Sequence, residues 1–219
     1  MRLCVASDPD PRKTAVAVES LRRVSDIRPN VEFAPERRFV CAVMPGMTMY
    51  TDGDVLFRRD PRELFRMVSD DPRVVVACVA HPRYDAPPLK KGGEPNEWYE
   101  RKNWSSMFVS NGNHPAHRRL WGSECIFGQG CTFDPNLTPR VLSHPDNLPF
   151  LHRFGWLTAD EELFRVPREW NVLAGIPEHE EVDDPAIVHF THGTPNESHA
   201  LPSRWDEEWL AVAETINGG

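Results

Sequence analysis

The chain has 219 residues, 40% of them hydrophobic and 26% charged, and a formal net charge of −8. This composition is that of a folded globular domain and excludes a disordered chain, while the acidity speaks against sequence-independent nucleic-acid binding but leaves a local basic groove open. No apolar run reaches the roughly 20 residues of a membrane span, no signal peptide is evident, and the five scattered cysteines indicate reduced thiols, so we expect a cytoplasmic protein.

The first part of the chain alternates short apolar runs with helical patterns. Helices are predicted for residues 13–25, 37–44 and 61–68, the second of them ending at Pro45-Gly46. Buried strands are predicted for residues 3–6, 47–50, 55–57 and 74–80, each a short apolar run. The alternation of strands and helices predicts an α/β fold.

The second part of the chain is predicted to be less regular. Residues 82–103 are rich in Pro, Gly, Lys and Glu and indicate a long loop, and residues 122–150 have the least regular composition. Further strands are predicted for residues 105–109 and 186–190, with a terminal amphipathic helix over residues 205–216. We therefore expect a mixed, mostly parallel sheet with long irregular loops.

The segment Asp52-Gly53-Asp54 separates two of the predicted strands. Carboxylates at i and i+2 normally point to opposite faces of a strand, but a glycine between them permits a kink that directs both toward one ion. Carboxylate oxygens suit Mg²⁺ or Mn²⁺, which commonly complete their coordination with phosphates. The alternative interpretation is a solvated Asp-Gly hairpin turn. The Val-Leu-Phe run that follows favours the metal site, because hairpin strands usually alternate.

Four segments in order resemble one family. They are Tyr50 to Pro61 (YTDGDVLFRRDP), Arg101 to Asn111 with His114-Pro115 (RKNWSSMFVSN and HP), Leu151 to Leu157 (LHRFGWL) with Pro167 to Leu173 (PREWNVL), and Val188 to Pro195 (VHFTHGTP). Together they look like the motifs of family 8-like glycosyltransferases of the GT-A type, in a small bacterial and phage branch. The resemblance covers roughly residues 1–210. It implies one GT-A, Rossmann-like domain over residues 1–219, with a nucleotide-sugar half up to about residue 80 and a sugar and acceptor half after it.

The resemblance implies a metal site and a nucleotide site. Asp54 would bind Mn²⁺ or Mg²⁺ directly, and Asp52 would bind the metal or the ribose. His189 would be the third ligand, although a histidine at the end of an apolar strand is by itself more typical of a core; an imidazole ligand favours Mn²⁺. Asp8, at the end of the first strand, would lie near the base or ribose, as ligands do at strand carboxyl ends.

The resemblance also implies a donor-sugar pocket and an acceptor side. Asn103, Ser105 and Ser106 would line the pocket, Trp156 and Asp160 would lie near the sugar and acceptor, and Asn171 would support the pocket from the other side; Asn103 and Asp160 are the predicted catalytic residues. The sequence departs from the family where a lysine usually neutralises the diphosphate, because Thr194-Pro195-Asn196 stands there. Arg101 or Lys102 is the suggested substitute, and the usual Asp-Gln pair of the acceptor side is missing.

These features predict a metal-dependent, retaining glycosyltransferase, transferring a hexosyl or pentosyl group from a nucleotide-diphosphate sugar, and the family favours UDP. The acceptor stays open among a hydroxymethylated pyrimidine in phage DNA, a bacterial or phage surface glycan, a small metabolite and a protein. A nucleotidyltransferase could use a similar acidic turn, but the Gly-rich phosphate loop expected of one is missing after the first strand. A non-catalytic binding module would not need a metal site.

Overall fold

A computed structural model describes residues 1–32, 38–69, 71–85, 87–89, 95–120, 142, 144–158 and 162–217. Its main feature is a six-stranded sheet. The strands are β1 (Arg2–Ala6), β2 (Asn30–Glu32), β3 (Met47–Thr51), β5 (Val76–Val79), β6 (Met107–Asn111) and β7 (Leu163–Val166). They lie in the order β2-β1-β3-β6-β5-β7. Pairing is parallel except around β6, which runs antiparallel to both β3 and β5. The predicted mixed, mostly parallel sheet is confirmed.

A smaller sheet lies beside the first and consists of β4 (Val55–Phe57), β8 (Val172–Leu173) and β9 (Ile187–His189). Strand β9 is central, antiparallel to β4 and parallel to β8. Because β4 follows β3 after three residues, the chain passes from the large sheet to the small one through Asp52-Gly53-Asp54. The acidic turn is therefore the connection between two sheets and not the tip of a hairpin.

Six helices surround the sheets in the described part of the chain. They are α1 (Pro11–Val24), α2 (Arg38–Val43), α3 (Arg62–Ser69), α4 (Leu148–His152), α5 (Pro177–Glu180) and α6 (Asp206–Asn217). Asp10 caps α1 by accepting a hydrogen bond from the backbone N–H of Arg12, with Pro11 at the first turn, a common start signal. Val16 of α1 and Trp209 of α6 belong to one buried cluster that covers the small sheet. None of the described helices combines the length and apolarity that crossing a membrane requires.

Most predicted elements have their observed counterparts within two residues. The strand predicted at residues 105–109 begins instead at Met107, because Trp104–Ser106 form a 3-10 turn before it. Three short strands, β2, β7 and β8, were not predicted, since their residues lack a long apolar run. Of the segment predicted to be least regular, only residues 142 and 144–150 are described. Cys4, Cys41 and Cys78 are buried thiols, and Cys125 and Cys131 lie outside the described residues.

Candidate metal and sugar site

Asp52 and Asp54 are held by the backbone on both sides of the turn. The N–H of Asp52 donates to the carbonyl of Ser106 at 2.8 Å, and the carbonyl of Asp54 accepts from the N–H of Phe190 at 2.9 Å. Gly53 packs so closely on the end of β1 that a Cβ atom there would lie 2.3 Å from the carbonyl oxygen of Ala6. Glycine is therefore required because this turn touches the backbone of the first strand.

His189 reaches the acidic turn from the end of β9. His189 pairs with Val55 across the antiparallel β4–β9 ladder. Its side chain therefore lies beside Asp54, the residue that precedes β4. Its Nε2 atom is 3.2 Å from Oδ1 of Asp54 and 3.9 Å from Oδ2 of Asp52. The imidazole is buried and the two carboxylates are about one fifth exposed. Strand pairing thus brings together Asp52 and His189, which are 137 positions apart in the sequence.

Two neighbours fix the carboxylate of Asp52. The Tyr50 hydroxyl donates to Oδ1 of Asp52 at 2.7 Å, and a guanidinium nitrogen of Arg38 lies 3.0 Å from the same oxygen. The guanidinium also lies over the Tyr50 ring and donates to the Ser105 carbonyl. One carboxylate oxygen is thereby occupied, and the other, Oδ2, is the one that approaches His189.

Burial and the close charges shift the three groups in different directions. Burial raises the pKa of Asp52, and the attraction of Arg38 and His189 offsets it only in part. Burial also acts to raise the pKa of Asp54, but the charge and hydrogen bond of His189, with a contribution from Lys13, outweigh it and lower that pKa. For His189, burial lowers the pKa and the two aspartates raise it by more. Asp54 and His189 therefore form the strongest pair of the cluster.

The cluster fits a divalent cation. One ligand atom from each of Asp52, Asp54 and His189 lies within 4.8 Å of the others. Two carboxylates and one imidazole suit Mn²⁺, and Mg²⁺ is compatible with the carboxylates. Nδ1 of His189 is buried without a hydrogen-bond partner among the described residues, so Nε2 is the nitrogen directed at the aspartates. Among the described residues no other group of histidine, cysteine and carboxylate side chains meets this criterion.

A cavity of about 270 Å³ contains His192 in its wall, three residues beyond the candidate ligand His189. The residues lining it are mainly aromatic or hydrogen-bonding: Tyr84, Asn96, Tyr99, Lys102, Asn103, Thr191 and His192. Burial lowers the pKa of His192 to about 4, so its imidazole is neutral near pH 7. Neutral donors and acceptors beside aromatic rings are suited to the hydroxyl groups and apolar faces of a sugar.

Three of the predicted sugar-pocket residues form one hydrogen-bonded network. Asn103, in the left-handed region at φ 63°, lines the cavity and donates from Nδ2 to the Tyr84 hydroxyl at 2.6 Å. The hydroxyl of Ser106 donates to the Asn103 carbonyl at 2.7 Å and accepts from Nδ2 of Asn171 at 3.0 Å. Asn171 is fully buried, and its amide nitrogen also lies 3.0 Å from Nε2 of His81. The network joins the cavity to the carbonyl that holds the N–H of Asp52.

The other predicted residues lie elsewhere. Ser105 is buried, and its hydroxyl lies 2.8 Å from Nδ1 of His152. Trp156 is only 1% exposed and packs edge-on against Phe39 and Phe154, so in this structure its ring offers no open face to a sugar. The structure thus does not bring Trp156 to the cavity. Asp160 and its neighbour 161 lie outside the described residues.

Asp8 lies next to the acidic turn, and its backbone N–H donates to the hydroxyl of Thr14. The Asp8 nitrogen would be 3.2 Å from a Cβ atom on Gly53. Of the two suggested phosphate-neutralising residues, Lys102 lines the cavity, whereas Arg101 donates to the carbonyl of Arg153. The structure therefore keeps Asp8 and Lys102 near the candidate site and directs Arg101 away.

Sequence reasoning missed Arg38 and Lys13. An arginine in a predicted helix is expected on a solvated face, but the side chain of Arg38 is only 13% exposed and pairs with Asp52. Lys13 is 1% exposed and pairs with Glu197 and Asp8. The helical pattern of residues 13–25 was assigned from its apolar positions, and it carries no signal for a buried ammonium. The available signal for Arg38 was its position at the start of α2, the helix that directly precedes β3 and the acidic turn.

Comparisons with known proteins support the same fold. No protein-family profile matches the chain. Protein CDI of Arabidopsis thaliana is 30% identical over 175 residues, covering 78% of this chain but only 60% of that relative's length. Among solved structures, the glycosyltransferase GlyE of Streptococcus pneumoniae TIGR4 has a TM-score of 0.55 at 13% identity, covering 97% of this chain and 60% of GlyE. The galactosyltransferase LgtC, solved with donor and acceptor sugar analogues, has a TM-score of 0.53 at 12% identity, and the match covers 98% of this chain and 96% of LgtC.

These likenesses establish the architecture. The chain has the α/β fold of GT-A glycosyltransferases, with the Asp52, Asp54 and His189 cluster where the large sheet meets the small one. At such low identity the structural likeness shows the fold alone. Because the chain spans about 60% of the Arabidopsis relative, the activity of a whole protein of that kind does not follow from the match.

Proposed function

We propose that this chain is a single-domain, metal-dependent glycosyltransferase that takes a sugar from a nucleotide-diphosphate donor. The observation that carries the proposal is the convergence of Asp52 and Asp54, from the turn between β3 and β4, with His189, from the end of β9, into one set of ligands beside a polar, aromatic cavity. A solvated hairpin turn would not need a buried histidine from the far end of the chain. The fold that the chain shares with GT-A glycosyltransferases supports the proposal by analogy.

The chain's own residues divide the work as follows. Asp52, Asp54 and His189 would hold Mn²⁺ or Mg²⁺, and Arg38 with Tyr50 keeps one oxygen of Asp52 in place. A divalent cation bound there would neutralise the charge that develops on a leaving diphosphate. Asn103 lies on the cavity wall and is the residue we assign to the donor sugar.

The remaining predicted residues have supporting roles in this proposal. Ser106 and Asn171 orient Asn103 through their hydrogen bonds. Asp8 lies beside the turn, where the ribose or base of the nucleotide would be bound. Ser105 acts indirectly, because it accepts from Arg38, which in turn holds Asp52. We retain Asp160 and Trp156 as acceptor-side predictions that rest on the resemblance, and for Trp156 the observed burial gives no support.

We propose a UDP-sugar donor and retention of the anomeric configuration, both on family grounds. In retaining transfer the leaving phosphate oxygen can take the acceptor proton on the same face, so a carboxylate base is not needed. Proton NMR of the first-formed product decides the stereochemistry. A product with inverted configuration would contradict retention and would give Asp160 or its neighbour the role of general base.

The acceptor in this proposal is a hydroxyl group, and the molecule that bears it is left to experiment. Hydroxymethylated pyrimidine in phage DNA, a surface glycan, a small metabolite and a protein are the candidates that we would test. A DNA acceptor requires extrusion of the base and a basic track for the strand. The Arabidopsis relative gives no support to an acceptor restricted to phage.

The testing experiment needs no acceptor. The protein is incubated with a panel of nucleotide sugars, and hydrolysis is measured with Mn²⁺, with Mg²⁺ and with EDTA. We expect hydrolysis of a UDP-sugar that Mn²⁺ supports at least as well as Mg²⁺ and that EDTA abolishes. Hydrolysis that continues unchanged in EDTA would contradict the metal assignment. Metal-dependent binding of GDP but not UDP, measured by calorimetry, would contradict the donor assignment.

A further inference from the structure

Lys13 is an ammonium group buried at the edge of the candidate site. It lies in the first turn of α1, and its side chain is 1% exposed. Its Nζ atom is 2.7 Å from Oε2 of Glu197 and 3.9 Å from Oδ2 of Asp8. Burying an ammonium is strongly unfavourable unless opposite charges and hydrogen bonds compensate. The three groups come from the first helix, the end of the first strand and the loop after β9, so the pairing joins distant parts of the chain.

Glu197 organises the loop that follows β9. Its Oε2 atom accepts hydrogen bonds from the backbone N–H of Thr194 at 2.8 Å and from the Thr194 hydroxyl at 3.0 Å. The loop doubles back at Gly193, whose φ is +104° and where a Cβ atom would lie 3.0 Å from Nε2 of His199. Residues 190–200 are therefore a compact loop folded around the carboxylate that Lys13 holds.

The same loop connects the metal cluster to the cavity. Its first residue, Phe190, donates its N–H to the carbonyl of Asp54, and the next two residues, Thr191 and His192, line the cavity. Any movement of residues 190–200 would thus change both the cavity wall and the backbone contact of a candidate metal ligand.

We propose that the buried Lys13–Glu197 ion pair is a clamp that fixes residues 190–200 against α1, and so positions the backbone of Asp54 and the adjoining cavity wall for a nucleotide-diphosphate sugar. This inference rests on the proposed function. Lys13 is a positioning residue, because its ammonium is occupied by carboxylates and does not itself enter the cavity. Glu197 is the loop's half of the clamp.

The charges around the turn favour the same interpretation. Asp8, Asp52, Asp54 and Glu197 lie around the site; Lys13 pairs with Asp8 and Glu197, and Arg38 pairs with Asp52. The carboxylates outnumber these two cations, and this excess of negative charge favours a divalent cation. Without the Lys13 ammonium the excess grows, which disfavours an anionic diphosphate. Loss of the Lys13 ammonium therefore weakens nucleotide binding through both the clamp and the charge, whereas loss of the Glu197 charge weakens it through the clamp alone.

The clamp can be tested with Lys13→Met and Glu197→Gln. Methionine removes the charge and keeps an unbranched apolar side chain, and glutamine keeps an oxygen that can accept from Thr194. Arg22→Met is the matched control, because Arg22 lies on the same helix with a side chain that is 69% exposed. Amide hydrogen exchange of residues 190–200 is measured first, without nucleotide. Calorimetry then measures UDP binding in the presence of Mn²⁺.

We expect Lys13→Met and Glu197→Gln each to accelerate exchange in residues 190–200 and to weaken UDP binding, both by about tenfold or more. The double variant should be little worse than the worse single variant, because the two charges act as one pair. Arg22→Met should change neither quantity. If Lys13→Met does not fold, Glu197→Gln decides by the same two measurements.

Unchanged exchange in residues 190–200 would overturn the clamp. Accelerated exchange with normal UDP binding would overturn its role in positioning the nucleotide site. Failure of the wild-type protein to bind UDP with Mn²⁺ would instead count against the proposed function, and the exchange measurement would still test the clamp by itself.

Discussion

The acidic turn and the Trp156 segment were both assigned to the functional site from sequence, and the structure treats them differently. Asp52 and Asp54 lie with His189 in one cluster, partly exposed. Trp156 lies in a buried apolar cluster against the face of the large sheet that carries Tyr50 and Phe108. The two regions therefore differ in what holds them in place: electrostatic pairing in the first and apolar packing in the second.

The difference shows which sequence signals distinguish function from packing. A carboxylate is rarely buried without a partner, so two of them between buried strands require an explanation such as a cation. A tryptophan is stabilised by burial wherever it packs, so its presence near polar neighbours does not discriminate a stacking platform from a core residue. The charged cluster is therefore the firmer basis for the function.

The largest effect that we expect in this comparison comes from Asp54→Ala. The substitution removes a candidate ligand and the strongest partner of His189, so metal-dependent hydrolysis of the donor should fall by about 10³-fold, or roughly 4 kcal/mol of transition-state stabilisation. The protein should remain folded, because the carboxylate is partly exposed. Kinetics at saturating Mn²⁺ and circular dichroism are the measurements.

Asp71→Ala is the control for that variant. Asp71 lies outside the candidate metal cluster, pairs with Arg73 at the surface and accepts from the backbone N–H of Arg73. We expect activity within about twofold of wild type, as for most surface substitutions. If Asp54→Ala retains near-normal turnover, the metal assignment fails and the turn interpretation of Asp52-Gly53-Asp54 is restored.

Trp156→Ala should act on stability. Removing a fully buried aromatic side chain leaves a cavity, so the free energy of unfolding should fall by about 3–5 kcal/mol in urea titrations. Any loss of activity should disappear when activity is expressed per folded molecule. A variant as stable as wild type but with weaker sugar binding would support the stacking role that the resemblance implied.

Much of the fold follows from sequence because its signals are local. The strand pattern of Met47–Thr51 and Val55–Phe57 and the helical pattern of Pro11–Val24 predict these elements without knowledge of their partners. The strand β7 was not predicted, since its two central residues are exposed and it gains its place by pairing with β5. Edge strands of this kind are specified by the neighbouring strand more than by their own residues.

The candidate site was likewise predicted where its sequence signal is local and missed where it depends on contacts across the fold. The Asp52 and Asp54 turn is a local signal, but His189 joined it only through the family resemblance. Arg38, Lys13 and Glu197 could not be found, because their functions depend on distances across the fold and charged residues are usually solvated. Buried charge becomes visible only when the elements are packed.

Gly53→Ala should have a smaller effect, confined to the charged region. A Cβ atom there would overlap the carbonyl of Ala6, so the turn must shift and separate the two aspartates. We expect Mn²⁺ affinity, measured by titration calorimetry, to fall by about tenfold, or roughly 1.4 kcal/mol. Gly46→Ala is the control: its φ of +87° makes the variant strained, but a Cβ atom there meets nothing within 4 Å. That variant should lose some stability and keep its metal affinity, and equal losses of affinity in both variants would contradict this account.

The last effect concerns pH and belongs to the packed region. His117 lies beside Trp156, and burial, with the nearby His114, lowers the pKa of its imidazole to about 4. In the unfolded chain its pKa returns to about 6.5, so between about pH 6.5 and 4 the unfolded state binds more protons than the folded state. This contribution to stability is complete above about pH 6.5 and is lost as the pH falls toward 4, by up to about 1.4 kcal/mol per pH unit. Urea titrations of wild type and His117→Asn over this range measure the difference, and the variant should show the shallower decline. Parallel declines in the two proteins would mean that His117 does not contribute to the acid sensitivity of the packed region.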